Sequence, residues 1–135
     1  MKINELIKTI EHDWGDRSSH VDYCIRLIDY INNNKYQDVN HLTYSSFKNI
    51  LTPKLNTQVL FEILSYLSGD KVKVLEIHFE LIDDLENCYV LSKEDVSDLI
   101  NHGTLAHPRS GTLIPSAKDK VHVYYSPAES FVQNV

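Results

Sequence analysis

Residues 102–115, HGTLAHPRSGTLIP, place two histidines, an arginine, two glycines and two prolines in one short segment. His102, His107, Arg109 and Ser110 are its candidates for chemistry. Four residues separate the two histidines across an expected helix end, so they do not share one helical face, and the segment contains no carboxylate. A histidine pair without a fixed third ligand is a poor zinc site, and no metal is expected here. A phosphate loop would need a lysine and glycine pattern that the segment lacks, which leaves Arg109 and Ser110 able to hold at most a single anion. Ser110 or Thr112 with His107 would make a nucleophile and base, but the Gly-x-Ser-x-Gly elbow is absent. His102 has an adequate structural use at a helix C-terminus, where the dipole favours a cation. A paired loop or hairpin is the simpler expectation for 103–115, with Pro108 and Gly111 as its turn residues.

A second constellation is Glu76, His78 and Glu80, alternate residues of a strand pattern, which would set an imidazole between two carboxylates. Such a face binds a divalent cation or is simply the solvent side of an outer strand. Asp83, Asp84 and Glu86 follow in an acidic turn. Tyr66 and Tyr124 stand out among eight tyrosines, because tyrosine brings large amphipathic area to an interface.

The elements that must position these residues follow from periodicity. Ile3, Leu6, Ile7, Ile10 and Trp14 trace one helical face that ends at Gly15. A second helix is expected from Ser19, with Ser19 and Asp22 as a capping box and Asn32–Asn34 closing it in the left-handed conformation that asparagine tolerates. A third carries Leu42, Phe47, Ile50 and Leu51 and ends near Thr52, before Pro53. A fourth, capped by Asn56 or Thr57, buries Val59, Leu60, Ile63, Leu64 and Leu67 and stops at Gly69. The period then changes to two, with Leu75, Ile77, Phe79 and Leu81 facing inward. After the turn DDLEN comes a return strand CYVL, then a helix with Ser92 and Asp95 as capping box and Gly103 as cap, and finally the strand KVHVYY. The expectation is one α+β domain over 1–128, a helical N-terminal half followed by a small, mostly antiparallel sheet with one inserted helix, and a loosely held tail at 129–135.

The order helix, helix, helix, strand, strand over 18–91 resembles a winged helix, with 57–67 as the helix that would enter a groove and 83–87 as the wing tip. That resemblance implies nucleic-acid binding as an alternative function. It would require Arg17, Arg26, Lys35, Lys48, Lys54, Lys71 and Lys73 to share a face. Residues 57–67 carry no lysine or arginine, and the wing tip is acidic.

Charge separates the function classes further. The chain of 135 residues has a formal net charge of −6. Its first 54 residues are balanced, whereas residues 55–101 hold 3 basic against 10 acidic side chains. Such a surface repels phosphate backbones and lipid headgroups and suits a basic or mixed-charge protein. No apolar run is long enough to span a bilayer, and the N-terminus lacks a secretory core, so a cytoplasmic location is expected. Cys24 and Cys88, without CxxC spacing, are expected as reduced, packed thiols. The expected function is a non-enzymatic protein-interaction module, such as an adaptor, immunity protein or accessory subunit, without a cofactor. Its contact residues would be Glu76, His78, Glu80, Asp83, Asp84, Glu86, Tyr66 and Tyr124. The remaining alternative is a metal-assisted enzyme built on the Glu/His/Glu strand face.

Overall fold

The computed structural model describes residues 2–15 and 17–133 of the chain. Five helices come first: α1 (Ile3–Trp14), α2 (Ser18–Asn33), α3 (Tyr36–Val39), α4 (Tyr44–Leu51) and α5 (Thr57–Leu67). Strands β1 (Leu75–Ile82) and β2 (Cys88–Val90), helices α6 (Lys93–His102) and α7 (Ala117–Lys120), strand β3 (Val121–Pro127) and helix α8 (Glu129–Gln133) complete the described chain. The strands form one antiparallel sheet in the order β2-β1-β3. The architecture is α+β, as the change of period at Leu75 requires.

The described residues group into two compact units. One takes the described residues up to Ile77 and from Tyr125 onward, and the other takes His78–Tyr124. In the first unit α2 packs against α1, α4 and α5. Leu6 and Ile10, then Leu27, Ile28 and Ile31, then Phe47, Leu60, Ile63 and Leu64 are buried there. Each contributes about 1.5–3 kcal/mol of burial. In the second unit Leu81, Leu91, Leu99, Leu105 and Ala117 form the buried cluster, with Phe79, Tyr89, Val96, Ile114 and Val121 packed against it.

Local signals explain most boundaries. Gly15 ends α1 at φ 51°, and Gly103 ends α6 at φ 68°, conformations in which a Cβ is strained. Ser92 and Asp95 form the capping box of α6, and the Asn56 side chain accepts from the amides of Gln58 and Val59 at the start of α5.

Several expectations are corrected. Helix α2 begins at Ser18 with Arg17 as its flanking residue and no side-chain cap, so Ser19 lies inside the first turn instead of capping it. Its C-terminal Asn34 is extended rather than left-handed, and it closes the helix by donating its side-chain amide to the Tyr30 carbonyl at 2.7 Å. Ile77 is exposed, whereas Glu76, His78 and Glu80 are half-buried on β1, the central strand with a paired neighbour along each edge. The segment read as a loose tail opens as α8 with Phe131 buried, while residues 134 and 135 lie outside the described residues. Cys24 is buried but Cys88 is exposed on β2. No helix among the described residues is long and apolar enough to cross a membrane.

Candidate functional site

The chemistry-bearing loop 103–115 is held by its own backbone. Ala106 pairs with Leu113 in an antiparallel bridge, the His107 amide donates to the Thr112 carbonyl at 2.8 Å, and the Ile114 amide donates to the Leu105 carbonyl at 2.9 Å. Gly111, at φ 75°, supplies the turn. The segment is therefore a paired hairpin loop whose base reaches the core through Leu105 and Ile114.

His107 occupies the centre of a fixed network. Its Nδ1 accepts from the backbone amides of Arg109 at 3.1 Å and Ser110 at 3.3 Å. Since Nδ1 is an acceptor twice, the ring proton sits on Nε2, which donates to Asp83 Oδ2 at 3.1 Å. The other oxygen of Asp83 accepts from the amides of Leu85 at 3.0 Å and Asn87 at 2.9 Å. The Tyr89 ring meets the imidazole edge-on at 4.8 Å. The His107 hydrogen bond, together with the Asn87 and Leu85 amides, holds the Asp83 carboxyl below the usual carboxylate range.

This arrangement decides the loop's chemistry. Both ring nitrogens of His107 are committed, so neither faces the Ser110 hydroxyl, which pairs instead with Thr112 Oγ1 at 2.8 Å. Arg109 is exposed and engages the network through its backbone amide rather than its guanidinium. His102 is exposed in the last turn of α6, where its position suits the helix dipole. The loop is a fastener between the β1–β2 turn and the hairpin. No group of three histidine, cysteine or carboxylate side chains able to hold a metal occurs among the described residues.

The register of β1 against β2 pairs Glu80 with Val90, Leu81 with Tyr89, and Ile82 with Cys88. Leu81 and Tyr89 point into the core, so alternation places Glu80, Val90, Ile82 and Cys88 on the opposite, outer face. His78 lies on that face and stacks on Tyr124 of β3, with ring centres 4.8 Å apart and planes at 24°. Val90 is 64% exposed on this face, and Leu85, at the tip of the adjoining turn, is 81% exposed. Around them stand Asp84, which pairs with Lys120 at 3.1 Å, and Glu86, held at φ 63°.

The expected contact residues thus divide. His78, Glu80, Asp83, Asp84, Glu86 and Tyr124 belong to the second unit, whereas Glu76 and Tyr66 belong to the first. The Tyr66 hydroxyl donates to Asp13 Oδ2 at 2.7 Å, and Lys71 pairs with Asp13 Oδ1 at 2.6 Å. Burial, followed by the Asp13 carboxylate, raises the Tyr66 phenol above its ordinary range, while Lys71 and then Tyr66 lower the Asp13 carboxyl. Val90 and Leu85 were not singled out from the sequence, since their exposure depends on register and turn shape, which periodicity does not supply.

The outward residues of α5, the helix that the winged-helix resemblance would put into a groove, are Thr57, Gln58, Phe61 and Ser65. None is basic. Of the cations that a nucleic-acid surface would recruit, Arg17 pairs with Glu62 at 3.1 Å, Arg26 with Asp22 at 3.5 Å, and Lys71 with Asp13. Comparison of the chain with protein-family models, with curated proteins and with solved structures finds no match in any of the three.

Proposed function

We propose that the chain is a non-enzymatic protein-interaction module, of the adaptor, immunity or accessory-subunit kind, acting in the cytoplasm. Its partner is a basic or mixed-charge protein, met through the outer sheet face and acidic turn of the second unit. The observation that carries this reading is the exposed Val90 directly opposite Glu80, beside the His78–Tyr124 stack. A surface valine with an aromatic neighbour offers an apolar centre, and the carboxylates of Glu80, Asp84 and Glu86 provide the polar rim that interfaces typically carry. The excess of acid over base in residues 55–101 steers a cationic surface toward that centre and weakens with salt.

The test is capture by the tagged chain from extract of its own cells at low and high salt, alongside Val90→Asp and Glu86→Lys variants with unchanged circular dichroism. A stoichiometric protein that is released by salt and lost with both variants supports the reading. A partner retained equally by both variants, or an eluate containing nucleic acid or stoichiometric metal instead, overturns it.

A further inference from the structure

Helices α4 and α5 enclose a groove of about 390 Å³ lined by Tyr44, Lys48, Thr57, Gln58, Leu60 and Phe61. Its size falls in the range of small-molecule sites, which are apolar with a few placed polar groups. Two of its walls are aromatic rings that the fold leaves open, Tyr44 at 41% and Phe61 at 53% exposure. The Tyr44 wall is backed by packed rings: Tyr44 lies 6.3 Å from Tyr125, and Phe47 meets Tyr125 edge-on at 5.6 Å. Tyr44 thus stands against packed rings on this side of the groove.

The rim carries one cation. Lys48 Nζ reaches Thr57 Oγ1 only at 3.5 Å, the outer limit of a hydrogen bond, so its ammonium is poorly paired at the edge of an apolar cleft. The nearest acid on α5, Glu62, is engaged with Arg17 and His20. Apolar walls with a single ammonium match a monoanion joined to an apolar body, whereas a phosphate would call for more donors.

We propose that the α4–α5 groove binds a small amphiphilic carboxylate, its apolar body between Tyr44 and Phe61 and its carboxylate on Lys48. This site is independent of the protein-docking face proposed above.

The experiment is a titration of the full chain, followed by proton–nitrogen correlation spectra, with naphthylacetate, naphthylethanol and naphthylethylammonium. Naphthylacetate is expected to shift the amides of Thr57, Gln58 and Phe61 and to bind about three- to five-fold more tightly than the alcohol, as a single exposed ion pair allows. The ammonium compound is expected to bind most weakly. Lys48→Glu inverts the order of acid and ammonium, and Phe61→Ala, a change at an exposed position, removes binding of all three. Equal binding of the three compounds, or shifts elsewhere on the chain, overturns the proposal. So does movement of the same resonances on dilution without any probe, which would show that a second copy of the chain covers the groove.

Discussion

His107 and Asp83 lie 24 residues apart in sequence and 3.1 Å apart in the structure, and the His107 imidazole, held between Asp83 and the hairpin amides, is fixed in its Nε2–H form. His107→Ala therefore removes the acceptor of the Arg109 and Ser110 amides as well as the donor to Asp83. Hydrogen exchange at both amides is expected to accelerate, while amides of the helical first unit keep their protection. In the wild-type protein, imidazole nitrogen shifts should show Nδ1 unprotonated and Nε2 protonated. The reverse tautomer would contradict the network.

The same contact gives the stability an acid limb. The folded Asp83 carboxyl is depressed, so its contribution is fully present above its unfolded pKa and is lost as pH falls through the lower folded value. Asp13 behaves alike through Lys71 and Tyr66. Thermal midpoints measured from about pH 6 to about pH 3 should therefore fall less steeply in Asp83→Asn and Asp13→Asn than in the wild type. Equal slopes would mean that neither contact differs between folded and unfolded chains.

Gly103 is held at φ 68° with open space where a Cβ would lie. The penalty for alanine is thus conformational rather than steric, about 1 kcal/mol. Urea titrations should show a lower midpoint for Gly103→Ala at unchanged slope, and a smaller loss for Gly103→Asn, which tolerates the left-handed region.

The helical half, the sheet and the α6 boundaries were legible because each rests on short-range patterns: the three-and-four spacing of α1 and α5, the period of two at Leu75–Leu81, and Ser92, Asp95 and Gly103 around α6. The cap of α2 falls two residues earlier than expected, at Arg17, because Ser19 and Asp22 have capping spacing without forming the bonds. The short helices α3 and α7 have four residues each, too few to establish a period. The histidine loop was legible as a paired turn, but the partner of His107 was not. Nothing local to HPRSG points to Asp83, and the link exists only once the β1–β2 turn and the hairpin are packed in one unit. The exposure of Val90 likewise follows from register against Glu80.

The two cysteines should differ sharply toward a thiol reagent. Cys24 is enclosed in α2, and burial pushes its thiol up to about 12, so little thiolate is present at neutral pH. Cys88 is exposed on β2, on the outer face it shares with Val90. Mass spectrometry of the native protein treated with an alkylating agent should find one rapidly modified thiol, Cys88, with Cys24 following only under denaturing conditions. Because Cys88 adjoins the proposed contact face, a bulky cationic adduct there should also abolish partner capture while leaving the circular dichroism intact. Full capture by the adduct would move the contact off this face.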